Sequence, residues 1–573
     1  MVLSGKKTTD PDADDDLLLK RLGYTRVLER GLSSFSNFAF GFSEVAVLAS
    51  VTSLYGQGLQ TGGPAGTIWG FVVVWAFNSL VAASLAEICS AYPSAGSVYH
   101  WSAQLSPPSL APLFSFTTGL TNWIGNASGN AAFAFTFAIF LKAGLQSMHI
   151  TAYDDASTVI VALGTNAVWT LLNFCDVSSL AVFNNVAAAF HTASLFIIIV
   201  TLFSSSRLQP ASWVFLHYEN LTGFEDDTLN QPSYIGALSV LTSSYYFSGM
   251  EASAHLAEET QNSSEAAPDG ITRTVFATGI GGALYLLALL FATTDLAQVV
   301  ATDDATPLAL TDCAAANVFI LSCGQRCGAA LTWLCIVNLF FAGVSCVAVT
   351  GRITFALARD GAFPYSGFFS QVHPVVKVPI RAISLVCGCV SLLLLLPVNP
   401  DAATAFYSIV GLCTVGFSLS YAIPILVKVW FRAQVPFPPE CKKSLGKWSE
   451  PCGVVAGVWL LGTSCLFFLP VSGPITPRSN NWLCVVAVAC FLAAALYWSW
   501  GGGRHVFRGP RRAPTSFSAI VADDDCGQGA GSGGEVGAGD KEMTTTLNAL
   551  HLSAATGQDT NTVYSAAAVR DVQ

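Results

Sequence analysis

Charge is what this sequence has least of. Only 26 of its 573 residues are Lys or Arg and 36 are Asp or Glu, 11 % in all, less than half of the ~25 % typical of soluble domains. Beside 52 % hydrophobic residues, that scarcity excludes a string of ordinary soluble domains. Motifs are missing too. There is no phosphate loop, so ATP-driven pumping by this chain alone is excluded. No His/Cys pair has metal-ligand spacing, and no conspicuous polar cluster faces one compartment, so an enzyme finds no support and no catalytic residue is nominated. The first 30 residues are charged and polar, so no cleavable signal peptide is expected.

What is present are long apolar stretches. A hydrocarbon core about 30 Å thick needs ~20 apolar residues per helix. Stretches of that kind fall near residues 33–60, 67–91, 112–142, 156–175, 180–203, 233–256, 272–294, 328–350, 379–397, 402–430, 453–471 and 481–500. Backbone in hydrocarbon must satisfy its own hydrogen bonds, so these are helices. The expected fold is therefore an all-α polytopic membrane protein of about twelve spans, too many for a seven-helix receptor. Residues 1–32 read as a disordered cytoplasmic arm, 33–500 as the membrane domain, and the Gly-, Ser- and Thr-rich 501–573 as a disordered tail.

With the N-terminus inside, only Lys142, Arg207, Arg326 and Arg478 fall on the outer side, and the other Lys and Arg fall inside. That bias places both termini in the cytoplasm. The sequon Asn220-Leu221-Thr222 then lies in the outer loop before span 6 and can be glycosylated. Those at Asn126 and Asn262 fall in a helix and an inner loop and should be silent. Most of the sixteen cysteines lie in helices as small hydrophobes. Cys313, Cys323 and Cys327 share an outer loop, as one disulfide or as free thiols.

Two spans break the smooth apolar pattern. Span 1 carries Ala49-Ser50-Val51-Thr52-Ser53 in its middle, and span 6 carries Ser248-Gly249 followed by a polar run from Glu251 to Thr260. Interrupted helices five spans apart point to a carrier built as an inverted repeat, with its site at mid-membrane. Simple packing kinks are the alternative.

The run Ser84-Leu85-Ala86-Glu87-Ile88-Cys89-Ser90-Ala91-Tyr92-Pro93-Ser94-Ala95-Gly96 resembles the end of span 2 in the amino acid–choline transporter family. That family, which includes GABA permeases, choline permeases and bidirectional amino acid transporters, belongs to the amino acid–polyamine–organocation superfamily. Gly249-Met250-Glu251-Ala252-Ser253-Ala254-His255-Leu256-Ala257-Glu258-Glu259-Thr260 is similar to its span 6 signature, and Arg352 to Pro364 to its segment at the inner end of span 8. The resemblance implies a five-plus-five inverted repeat with spans 11 and 12 added. It departs at two places. The family's usual glycine at the span 1 break is replaced by Ala49-Ser50, and its usual Tyr-Asp after the span 6 glycine by Met250-Glu251.

On this reading the amides of Val51, Thr52 and Ser53, with the Ser50 and Ser53 hydroxyls, would hold a substrate carboxylate. Carbonyls near Phe247, Ser248 and Gly249, with Glu251, would hold an ammonium group, and the resemblance favours Phe247 as the gate. Of the aromatics Tyr245, Tyr246 and Phe247, at least one is expected to face lipid or serve as packing surface. Intramembrane ionisable groups are functional hypotheses by default. Glu44 and His191 are candidates for carrying a coupling proton. Ser345 and Thr350 are candidates for a sodium site against span 1. Glu87 is read as a structural partner for Arg352 or Arg359, and Glu258 as a gating residue. The expected function is secondary transport of a zwitterionic amino acid such as GABA, with choline or a polyamine next and a channel as the reading from another class. A small-molecule substrate and the lipid bilayer are the expected partners, with no nucleic acid, no metal, and no cofactor beyond a coupling proton or sodium ion. The plasma membrane is the expected location, ahead of the vacuolar membrane. Oligomeric state is left open.

Overall fold

A computed structural model describes residues 16, 19–20, 28–150, 153–205, 207–226, 228–301, 310–398, 402–438, 441–476, 481–500, 506–507 and 509–510. Helices account for the architecture, and only two isolated β-bridges occur among these residues. Span 1 is Ser34–Val45 followed by Val47–Gln60, span 2 is Gly63–Ala91, span 3 Ala111–Ser147, span 4 Asp155–Leu172 and span 5 Val177–Phe203. Span 6 is Pro232–Ser244 running into the tight turn Tyr245–Phe247, then the short pieces Ala252–His255 and Ala257–Glu259. Spans 7 to 12 are Ser263–Ala292, Gln325–Arg359, Ile380–Leu394, Ala402–Trp430, Ser449–Leu466 and Leu483–Ser499. Among the described residues, seven helices are long and apolar enough to cross a bilayer by length and composition. Span 3, at 37 residues, is ~55 Å long and projects beyond the hydrocarbon. Spans 7 and 8 start earlier than their apolar runs, because polar first turns at Ser263 and Gln325 are helical as well.

Span 3 packs along both span 8 and span 10, span 1 packs on span 8, and the span 6 pieces touch spans 8 and 10 around the break. Spans 3 and 10 approach backbone to backbone at Gly125 and Gly416. A Cβ on Gly416 would come within 2.7 Å of the Gly125 Cα, the close contact that small residues permit between membrane helices. The outer rim is apolar and exposed. Phe276, Ile280 and Leu284 repeat at four-residue spacing on span 7 and form one face turned away from the core.

Two open alternatives are narrowed here and one expectation is corrected. Tyr245, Tyr246 and Phe247 are all buried, at 6 %, 0 % and 1 % exposure, so none of them faces lipid. Residues 28–32 of the supposed arm are ordered. Leu28 and Leu32 are buried, and Leu32 bonds across to the inner end of span 6 through Glu259 O and Gln261 N, each at 3.0 Å. Cys313, Cys323 and Cys327 are free thiols. The rest of the arm and nearly all of the 501–573 tail lie outside the described residues.

Candidate functional site

The span 1 break is at Ala46, a non-glycine residue in the left-handed region at φ 44°, ψ 55°. This moves it several residues ahead of the expected position. Val51, Thr52 and Ser53 therefore sit inside the outer half-helix, whose backbone is already bonded. The first-turn amides, those with no carbonyl four residues back on the same helix, belong to Val47, Leu48 and Ala49. The hydroxyls bond locally. Ser50 Oγ donates to Val45 O across the break at 2.9 Å, Ser53 Oγ donates to Ser50 O at 2.8 Å, and Thr52 Oγ1 meets Tyr285 Oη at 2.7 Å. Ser50 thus holds the two half-helices together rather than offering a free donor.

Span 6 breaks where expected. Ser248 is extended and Gly249 has φ +85°. A Cβ at Gly249 would stand 3.0 Å from Glu44 Oε1 and 3.2 Å from Glu44 Cγ, so glycine is needed both for the turn and for the approach of span 1. The two breaks meet at this point. Carbonyl-rich helix ends arrive from the inner half of span 1 and the outer half of span 6. Amide-rich starts leave from Val47 and from Ala252. The first pair favours a positive group and the second a negative one.

Glu251 is buried and its carboxylate is held from three spans. Asn122 Nδ2 of span 3 donates to Oε1 at 2.7 Å, and the Tyr421 hydroxyl of span 10 donates to Oε2. His255 Nε2, one turn further along span 6, lies 3.7 Å away. Tyr421 Oη also accepts from the Gly249 amide at 3.2 Å, which fastens the break itself. Neither Asn122 nor Tyr421 was foreseen. The signal was there for Asn122, because Asn122, Asn126 and Asn130 are spaced by four in an otherwise apolar span and therefore share one face. All three are buried, with Oδ1 atoms that have no partner among the described residues.

Glu44 is 3 % exposed and its Oε2 likewise has no hydrogen-bond partner among the described residues. His191 lies on the other side of span 1, its ring edge-on to Phe42 at 4.9 Å, and does not join Glu44 or Glu251. Phe247 packs on Phe71 at 5.4 Å between ring centres. With Ser248, Met250 and Tyr421 it borders a recess of about 290 Å³. The hydroxyls considered for sodium are engaged away from span 1. Ser345 Oγ donates to Asn184 Oδ1 of span 5 at 2.5 Å, and Thr350 Oγ1 accepts from Asn130 Nδ2 of span 3 at 2.6 Å.

The inner side is latched by ion pairs in a pattern that differs from expectation. Arg352 donates through Nε and Nη2 to Glu259 at 3.1 and 3.2 Å, with both side chains 1 % exposed. Arg359 forks onto Glu258 at 3.0 and 3.1 Å, and Glu258 also accepts the Ala95 amide at 3.1 Å. Glu87 pairs with neither arginine. Its partner is Lys428 of span 10, supported by Ser449 Oγ at 2.7 Å and the Leu445 amide at 2.9 Å. The order of the chain hid this pair, since 341 residues separate its members. On the outer side, two recesses of about 540 and 520 Å³ border the outer half of span 1 at Leu54, Gln57 and Thr61 and at Ser53, Gln57 and Gln60. Ion pairs latch the end of the molecule at which the chain enters span 1, and a further, larger recess borders Glu87, Lys428 and Ser449 at that same end.

Known proteins resemble this chain in sequence. Residues 32–490 match the family described as Amino acid permease. The amino-acid permease BAT1 of Arabidopsis thaliana is 33 % identical over 529 residues, covering 89 % of this chain and 99 % of that protein. The BAT1 homolog of Oryza sativa subsp. japonica is 33 % identical over 509 residues, 86 % and 94 % of the two chains. Amino-acid permease 2 of Neurospora crassa is 26 % identical over 512 residues, 88 % and 90 %. With the match running from before span 1 into span 12, the chain belongs to the amino acid permease family and is an integral membrane transporter of amino acids.

Proposed function

We propose that this permease carries a zwitterionic amino acid, GABA among them, by alternating access about the two broken spans. The observation that carries the reading is the meeting of both breaks at Gly249 and Glu44, beside the buried Glu251. The substrate carboxylate lies at the Val47–Ala49 amides, and its ammonium lies toward Glu251 and the carbonyl ends near Phe247 and Ser248. Phe247 caps the site from outside. The Arg352–Glu259 and Arg359–Glu258 pairs close it from inside and part when the site opens inward. A coupling proton is carried at Glu44 rather than His191, because Glu44 borders the site and His191 does not. The chain sits in the plasma membrane with both termini in the cytoplasm.

A second reading, transport of choline or a polyamine, is favoured by one observation, the presence of two carboxylates at the centre instead of one. Uptake of labelled GABA, choline, putrescine and an amino acid panel into transporter-deficient cells, with Glu251→Gln beside the wild type, tests both. Saturable uptake of GABA or another zwitterion is expected. Uptake confined to choline or putrescine overturns the first reading, and uptake that never saturates points to a channel.

A further inference from the structure

Glu44 stands in the last turn of the inner half of span 1, two residues before the break. A helix C-terminus is the end where the macrodipole disfavours negative charge, and Glu44 Oε2 has no donor among the described residues. The span 6 break lies against it, with the position of a Cβ on Gly249 only 3.0 Å from Glu44 Oε1, and the buried Glu251 follows two residues later. Asn122 and Tyr421 both donate to Glu251, which is thus provided with donors where Glu44 Oε2 is not. Two neighbouring buried carboxylates do not both stay ionised without a positive charge beside them.

The other titratable groups around the pair are the Cys346 thiol of span 8, the Cys413 thiol and Tyr421 phenol of span 10, and His255 of span 6. His191 of span 5 meets only the Phe42 side of span 1. Of these, only His255 can supply a positive charge next to Glu251. Its Nδ1 is occupied with the Ala95 carbonyl at 3.0 Å. A protonated His255 balances one carboxylate and leaves the second unbalanced.

We propose that Glu44 and Glu251 hold one positive charge between them, a proton on Glu44 when the site is empty and the substrate ammonium when it is filled, so that proton and amino acid exclude each other. The proposal rests on the zwitterionic reading above. When substrate enters, the Glu44 O–H bond breaks and its proton passes to water on the open side. The freed carboxylate then accepts an ammonium N–H, and no electrons change hands. Each cycle therefore moves an amino acid one way and a proton the other. Acid on the substrate side works against binding rather than driving it.

The test uses the full-length protein in lipid nanodiscs, titrated with GABA in weak buffer containing a pH indicator, at constant sodium. About one proton is released per GABA bound, and the apparent Kd rises up to about tenfold for each pH unit of acidification, at unchanged maximal occupancy. Infrared difference spectra of the empty protein show a protonated-carboxyl C=O band that GABA removes. Glu44→Gln lacks the band, binds GABA roughly tenfold or more weakly, and binds it with pH-independent affinity. Glu44→Asp retains the band and the pH dependence, which separates loss of the carboxyl from loss of folding. GABA binding without proton release, or with proton uptake, overturns the proposal, as does absence of the band in the empty wild type. The band needs no substrate. Its presence in a protein that binds putrescine but no zwitterion would overturn the substrate reading and leave the exclusion intact.

Discussion

Replacing Arg352 with Met should open the inner face of this permease. Arg352 and Glu259 are each 1 % exposed and bonded to each other at two points. Removing one member of such a pair costs about 3–5 kcal/mol, because the other charge stays buried without compensation. In a state open to the cytoplasm the same pair is solvated, where an ion pair is worth about 0–1 kcal/mol. The difference, about 3 kcal/mol, shifts the balance between closed and open inner faces by roughly 150-fold. Hydrogen exchange read by mass spectrometry reports it. Peptides covering 91–105 and 252–262 should exchange faster by up to that factor, while peptides from the centre of span 3 stay protected. Arg352→Lys keeps the charge but loses the fork, and should fall between. The double replacement Arg352→Met with Glu259→Met removes both charges and should restore protection, since a buried pair exchanged for apolar groups is often neutral or better. Exchange unchanged in Arg352→Met, with the protein folded, would refute the latch. A double variant no better protected than the single would refute the charge argument.

Gly249→Ala places a Cβ at φ +85° and 3.0 Å from Glu44 Oε1. A left-handed non-glycine residue costs about 1–2 kcal/mol before the contact is counted, so substrate affinity measured by equilibrium binding should fall by about tenfold or more. Lys428→Met leaves Glu87 buried with hydroxyl and amide donors but no cation. The melting temperature of the detergent-solubilised protein should drop by several degrees, corresponding to about 3 kcal/mol, and Glu87→Gln in the same chain should return part of it. On the proposed topology Asn220 lies in the outer loop before span 6, whereas Asn126 is buried inside span 3. Glycosidase treatment of protein made in a eukaryotic host should shift the wild type and leave Asn220→Gln unmoved, and a shift that persists in that variant would reverse the proposed topology.

Much of this plan was legible in the sequence because the bilayer imposes a simple rule. An apolar run of sufficient length has only the helix open to it, so the spans follow from composition alone. The span 6 break was legible for a local reason, since Gly249 supplies a conformation that other residues enter at a cost. The span 1 break was not. Ala46 carries the left-handed turn without the glycine that would announce it, and the polar run Ala49 to Ser53 that drew attention is ordinary helix one turn on. Tertiary pairs were the least legible. Glu87 finds Lys428, Glu251 finds Asn122 and Tyr421, and no local pattern links residues brought together from different spans.

The displaced break alters what Glu44 does. A turn at Ala49–Ser53 would have left Glu44 more than a full turn inside a continuous helix, away from the helix end and the break. With the turn at Ala46, Glu44 becomes the penultimate residue of a helix that ends at the centre of the protein, and its side chain is turned against the span 6 glycine. An alanine in the left-handed region costs about 1–2 kcal/mol, and the Ser50 hydroxyl on Val45 O supplies one bond toward holding it there. Strain of that kind persists where the surrounding structure over-determines it, and it clusters at working sites. The strained residue, the carboxyl beside it and the glycine opposite form a single device. Relaxing Ala46 into helix would shift Glu44 from its seat against the span 6 glycine, and with it the arrangement on which the centre depends.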